Sequence, residues 1–400
     1  MTPRIRLHRW AGADGLCSGA HEGTAVRDGL LVLASPADRR PYADPYRDRG
    51  SGCYDQATWT SPEVDPGFAM TEVVPSWNAR TPEGTWVEIA VRGSTTDGIR
   101  THWYVLGRWA ETDQEISPAS VPGQADEHAT TDVDRLRVTP GRAWSSYQVR
   151  VTLLRRTGSA ATPSVSLVTA VASAVDGSAV GTAGRTGPGS DGAAGIVLDV
   201  PAYSQQVHRG EYPQWGNGGE SWCSPTSTTM VLAHWALGPA PEQYAWVDET
   251  LQDRAVDYAA RHTYDHHYGI PGNWPFNTAY AARFGATAFV TRLRSLTEVE
   301  QFVRGGIPLV LSVSFSEDEL GGAGYSTGGH LLTVVGFDAD GNVVSNDPAS
   351  HGLASNDEVR TTYDRRQFER AWLGRTFGIV YVIHPPSVPL PPAPETDPNW

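Results

Sequence analysis

VASAVDGSAVGTAGRTGPGSDGAAG, running from Val171 to Gly195, contains seven glycines, no aromatic residue and no sustained hydrophobic period. A segment of this composition cannot bury enough apolar surface to offset the entropy of ordering it, and it reads as a linker. It divides the 400-residue chain into two parts of unlike texture, each long enough to bury its own core. The expected boundaries are residues 1–171, a linker at 172–195, a second domain at 196–385 and a Pro-rich tail at 386–400.

Upstream of the linker, short segments alternate apolar and polar residues with period two. Val87, Ile89 and Val91 stand against Glu88 and Arg92, and Tyr147, Val149, Val151 and Leu153 against Gln148, Arg150 and Thr152. Turn clusters such as Thr81-Pro82-Glu83-Gly84 separate these strands, and no helical pattern is read before Ser173. An all-β sandwich or jelly roll is expected. Cys17 and Cys53 lie in this half, and either pair in an oxidising compartment or remain small hydrophobes. Trp59, Trp77, Trp86, Trp103, Trp109 and Trp144 crowd the same half. Exposed, they would stack on sugar rings and make a glycan-binding module; buried, they are core.

Downstream, helical patterns appear at Pro225 to Trp235, Asp248 to His262, Phe276 to Phe284 and Leu296 to Arg304. Ser295-x-x-Glu298 and Asp364-x-x-Gln367 have the form of capping boxes. Strand-like runs follow at Pro308 to Val313, His330 to Phe337 and Gly378 to Ile383, so helices come mainly first and strands mainly last. That order predicts an α+β domain. The tail from Pro385 to Trp400 reads as a disordered or extended appendage.

Composition excludes several chemistries. All 31 basic residues are arginine, so Schiff-base catalysis, pyridoxal attachment and a P-loop have no lysine to use. A net charge of −14 argues against nucleic acid as a partner. No apolar run reaches membrane-spanning length. Arg4, Arg6 and Arg9 precede no apolar core segment, so no signal peptide is read.

The strongest chemical signal is Ser221-Trp222-Cys223-Ser224-Pro225-Thr226. Pro225 suits the first position of a helix, which places Cys223 at the helix N-terminus, where the dipole favours thiolate over thiol. Gly328-Gly329-His330-Leu331-Leu332-Thr333 offers a base, a histidine opening an apolar strand. Asp347, in Val344-Ser345-Asn346-Asp347-Pro348, is placed to orient that imidazole. A buried structural Cys and a structural His are the alternatives for the first two. Cys, His and then Asn or Asp is the chain order of papain-like thiol hydrolases.

Val200-Pro201-Ala202-Tyr203-Ser204-Gln205, Cys223-Ser224-Pro225, Gly329-His330 and Asn346-Asp347-Pro348 together give residues 197–384 a specific resemblance to the C39-like branch of papain-like cysteine peptidases. The resemblance implies a papain-like fold, with Cys223 as nucleophile, His330 as general base and acid, Asp347 as its orienter and Gln205 as oxyanion donor beside the Cys223 N–H. Ser224 departs from the Gly common at its position, and Gln206 or Gln214 could replace Gln205. A peptide or protein substrate is implied, and export outside the cell is favoured. Trp222, Asn273 and Trp274 are expected to touch substrate, with a helix cap as the structural alternative for Asn273. No metal or cofactor is expected; a metal reading would take His262, Asp265, His266 and His267. Ser326 in Gly324-Tyr325-Ser326-Thr327-Gly328, with Asp347 and His384, fits the order of a serine hydrolase, but it follows a polar loop where a buried strand is required. An acyltransferase using the same triad, or a glycan binder with an inactive peptidase-like domain, are the alternatives.

Overall fold

The computed structural model describes residues 4–48, 50–175 and 192–400. It forms two compact units, one of residues 4–175 and 264–269, the other of the described residues in 192–263 and 270–400. Most of the expected linker, 176–191, lies outside the described residues. The linker does not begin at the expected 172, because Val171 to Ala174 complete a strand.

The first unit is a β-sandwich of two antiparallel sheets. One is ordered β10 (Ala129–Asp132), β11 (Arg135–Val138), β7 (Glu72–Arg80), β13 (Ser164–Ala174), β4 (Leu30–Leu33), β3 (Thr24–Arg27), with β1 (Arg4–Ala11) also on β13. The other is ordered β2 (Ala20–Glu22), β6 (Ser51–Thr60), β12 (Trp144–Arg156), β8 (Thr85–Thr95), β9 (Tyr104–Trp109), with β5 (Asp38–Ala43) on β6. The period-two positions Val87, Ile89, Val91, Tyr147, Val149, Val151 and Leu153 are all buried, as their alternation predicts. Glu88 differs from the expected solvent face. It is buried and paired with Arg40 at 2.9 Å and Arg108 at 2.8 Å, so its charge is matched inside the protein.

In this half one expectation is corrected and one open alternative is decided. A short helix, α1 (Gly12–Cys17), exists where no helix is read; at six residues it is too brief to show a period. Of the six tryptophans, five are core: Trp59, Trp77, Trp86, Trp109 and Trp144 expose at most 1% of their surface. Trp144 lies where a Cβ on Gly93 would stand, 2.0 Å from the nearest ring atom, so only glycine fits beneath it. Trp103 is half-buried, with the guanidinium groups of Arg92 and Arg150 over its ring at 4.4 and 4.5 Å. None of the five buried rings offers a sugar-stacking face. Cys17 and Cys53 are exposed and unpaired.

The second unit is α+β. Its antiparallel sheet has the order β14 (Thr287–Arg292), β19 (Ile379–His384), β15 (Leu309–Phe315), β16 (Thr327–Phe337), β17 (Val343–Asn346), β18 (Arg360–Tyr363). The helices are α2 (Cys223–His234), α3 (Ala255–Thr263), α4 (Trp274–Ala282), α5 (Leu296–Arg304) and α6 (Arg365–Thr376). Ser295 and Asp364 cap α5 and α6 as their spacing predicts, although Glu298 closes its half of the box on the Arg294 N–H. α2 is buried along Ser224 to Leu232, and its hydroxyls are hydrogen-bonded: Thr226 to Trp222 O, Ser227 to Leu331 O, Thr228 to Asn277. The Ser/Thr run therefore sits inside at little cost.

Other departures have local causes. The helix expected from Asp248 starts at Ala255, because the Asp248 carboxylate binds the Thr250 N–H and hydroxyl in a turn, and Asp253 is left-handed at φ 43°. The tail is no loose appendage. Asn399 Nδ2 donates to Arg292 O at 2.8 Å and to Glu298 at 2.9 Å, Thr291 donates to Asn399 O, and the Trp400 ring packs on Phe302 at 5.2 Å.

Candidate active site

Cys223 is the first residue of α2, with Trp222 at the N-cap. The helix begins two residues before the proline. Pro225 is tolerated there because an N–H in the first turn has no intrahelical acceptor. Cys223 is half-buried at the positive end of the dipole, and Ser224 beside it is fully buried, its hydroxyl 2.9 Å from that of Tyr381.

His330 is the fourth residue of β16, opposite Val313 of β15. The two glycines before it are exposed and leave open the space where a Cβ would stand, so they serve access to His330 and not close packing. Asp347 follows β17, whose last residue Asn346 pairs with Thr333 of β16. That register brings Asp347 Oδ1 to 2.8 Å from His330 Nε2, with both side chains buried. The Cys223 sulfur is among the neighbours that raise the His330 pKa, and with Nε2 engaged by Asp347 the other ring nitrogen is Nδ1. The structure thus brings Cys223, His330 and Asp347 together.

Electrostatics follow from this packing. Burial alone would pull the His330 pKa down, but the Asp347 carboxylate and the Cys223 sulfur outweigh it and raise it to about 10. Burial would raise Asp347, yet His330 and two tyrosine hydroxyls hold it at about 2. Those hydroxyls, from Tyr325 and Tyr363, each donate to Asp347 Oδ2 at 2.7 Å. The Ala349 N–H donates to Oδ1 at 2.9 Å. Burial and the neighbouring carboxylate raise both tyrosine pKa values, so both remain donors.

Neither tyrosine is foreseen from sequence. Tyr363 ends a short strand, and the capping box that follows it says nothing of catalysis. Tyr325 lies in the very Gly-Tyr-Ser-Thr-Gly segment that suggests a serine nucleophile. Ser326 is exposed and accepts from the Glu317 N–H, while His384 is bound to the Pro385 and Val388 carbonyls, so no serine triad forms around Asp347.

Gln205 opens the single-turn helix Gln205–His208. Its backbone N–H donates to Pro348 O at 2.8 Å, which ties it to the Asp347 loop, and its Nε2 donates to Glu220 O at 2.8 Å. A carbonyl acceptor there defines which end of the amide is nitrogen and leaves its second N–H available. Gln206 is engaged by Arg209 and Gln214 is exposed.

Two of the expected substrate contacts are corrected. Trp222 is fully buried, with its indole N–H donating to Trp215 O at 2.7 Å. Asn273 is buried as the cap of α4, accepting from the Phe276 N–H at 3.1 Å. Neither presents surface to a substrate; Trp274 is half-buried. Of the residues in the metal reading, Asp265 binds the Ser120 and His267 N–H groups and His266 Nδ1 lies 3.0 Å from Pro118 O, so both are occupied by loop packing.

Residues 6–173 match the family model described as the peptidase C39 N-terminal domain, and residues 197–379 match that of the Peptidase_C39 like family. Among solved structures, a protein described as a C39-like peptidase from Bacillus anthracis aligns at 17% identity and TM-score 0.29, over 46% of this chain and 96% of its own. Infectious bursal disease virus, Gt strain, aligns at 15% identity and TM-score 0.20, over 42% of this chain and 33% of its own. A carbohydrate-binding module of the β-sandwich superfamily aligns at 8% identity and TM-score 0.18, over 37% and 54%. At such scores these structural likenesses carry no argument. No curated protein matches the sequence.

Proposed function

We propose, for a chain that belongs to the C39-like peptidase family through both of its domains, that Cys223 is the nucleophile of a cysteine peptidase with a papain-like catalytic domain. The observation that carries this reading is the buried His330–Asp347 pair, with the Cys223 thiol at a helix N-terminus among the groups that raise the His330 pKa.

The Cys223 thiolate attacks the scissile carbonyl carbon while His330 holds the proton taken from sulfur. Charge then develops on the carbonyl oxygen, where the Cys223 N–H and the second Gln205 N–H stabilise it. Collapse of the tetrahedral species breaks the C–N bond, and His330 delivers its proton to the leaving amine. A thioester remains. Water attacks it, giving its proton to His330 and releasing the acid and the thiolate. Throughout, Asp347 keeps the imidazole oriented and stabilises its charged form.

Turnover of a peptide library tests the reading. The wild-type chain is expected to release new amino termini, and Cys223→Ala to lose at least about 10³-fold of that rate. At about pH 6.5, His330→Ala is expected to slow alkylation of Cys223 by iodoacetamide by on the order of 10-fold. Undiminished cleavage by Cys223→Ala, or alkylation indifferent to His330, would overturn the assignment.

A further inference from the structure

Outside the catalytic set, the second unit buries an ionisable cluster that the proposed reaction does not use. His208 closes the single-turn helix that Gln205 opens, Glu211 follows with its N–H on His208 O, and Asp257 projects from the first turn of α3. One donor atom from each lies within 4.8 Å of the other two. His208 Nδ1 is 2.8 Å from Glu211 Oε2 and 3.4 Å from Asp257 Oδ2.

The protein's own atoms do not satisfy this group. His208 and Asp257 are fully buried, and among the described residues neither oxygen of Asp257 accepts a hydrogen bond of good geometry and His208 Nε2 has no partner. One ring N–H faces two carboxylates, and a buried carboxylate without a full set of donors is destabilising. Protonation is one relief the described residues offer. Burial, with Glu211 nearby, pushes Asp257 up to about 6. The two carboxylates overcome the effect of burial on His208 and raise it to about 9.

We propose that His208 Nδ1, Glu211 Oε2 and Asp257 Oδ2 bind one divalent transition-metal cation of the zinc class. An imidazole with two carboxylates is a ligand set that such ions accept, whereas calcium and magnesium prefer oxygen alone. Bonds of about 2.0–2.2 Å at tetrahedral angles separate ligand atoms by about 3.3–3.5 Å. The His208–Asp257 spacing of 3.4 Å already meets this; Glu211, half-buried on a turn, has to retreat by only about 0.5 Å. Water completes the coordination.

Such an ion is a brace beside the catalytic centre and takes no part in the reaction. It joins α3 to the turn that carries Gln205. The His208 ring also packs on Trp222 at 5.7 Å, and Trp222 precedes the nucleophile.

The thiols of Cys17, Cys53 and Cys223 are themselves zinc ligands, so the test uses full-length protein alkylated with iodoacetamide and then stripped with a chelator. Titration with Zn²⁺ is expected to show about one equivalent bound per chain, with proton release and a raised Tm. Co²⁺ in its place should give visible d–d bands. Glu211→Gln, which preserves volume at a half-buried position, is expected to weaken Zn²⁺ binding by about 10-fold or more, and Asp257→Asn to abolish it. Less than about half an equivalent bound by the wild type at roughly 100 μM Zn²⁺ would overturn the proposal, as would unchanged affinity in Glu211→Gln. Since the readout is binding to alkylated protein, the peptidase assignment stands or falls separately.

Discussion

At the scale of single residues, the candidate site is a histidine held from both sides. Asp347 supplies charge and orientation, and its second oxygen is occupied by two tyrosine hydroxyls that could otherwise be water. Two donors on one oxygen keep the carboxylate from rotating away from the imidazole. Removing one leaves the other in place, so Tyr325→Phe and Tyr363→Phe are each expected to lower kcat by about 3- to 10-fold with KM little changed. The double substitution should cost more than the product of the two. Kinetics of the three variants against one peptide substrate check this. If each single variant matches the wild type, the tyrosines merely fill space. Both residues were invisible in the sequence because a tyrosine acting through its hydroxyl leaves no local pattern. Cys223 and His330 stand out in the sequence because a helix start and a Gly-Gly strand start surround them.

At the scale of elements, the site depends on how two single-turn helices pack. Gly219 opens the one at Gly219–Ser221, and a Cβ there would stand 2.1 Å from Gln205 O and 2.8 Å from His208 Cβ. The close approach sets where the Gln205 amide meets Glu220 O. Gly219→Ala must therefore push the Gln205 turn outward. The expected result is about 1–3 kcal/mol of lost stability and a kcat reduced by about 10- to 100-fold, less than the roughly 10²–10³-fold cost of removing an oxyanion donor outright. Chemical denaturation and peptide kinetics measure the two effects separately; unchanged kcat would show that Gln205 is no oxyanion donor. Helix ends were readable where a side chain caps them, as at Ser295, Asn273 and Asp364. The false start at Asp248 arose because an aspartate closes a turn as readily as it caps a helix.

At the scale of the whole molecule, burial of the His330–Asp347 pair couples stability to pH. His330 rises from 6.5 to about 10 in the folded chain, so its contribution is complete below about pH 6.5 and is lost as pH climbs through about 10. Asp347 falls from 3.8 to about 2, so its contribution is complete above about pH 3.8 and disappears as pH drops through about 2. Thermal melts between about pH 6.5 and 10 should show the wild type losing stability more steeply than Asp347→Asn, in which His330 has no anion to hold its proton. Parallel profiles would contradict the pairing. The sequence alone determined the division at a Gly-rich segment, the all-β and α+β textures, and the order of Cys223, His330 and Asp347, because each is written in local composition, periodicity or spacing. Only the tertiary structure decided which tryptophans are core, that Trp222 and Asn273 are packed away, that the tail docks on Phe302, and that Tyr325, Tyr363 and the His208 cluster converge. Those outcomes depend on strand register and on which faces are buried, and neither is a property of residues close together in the chain.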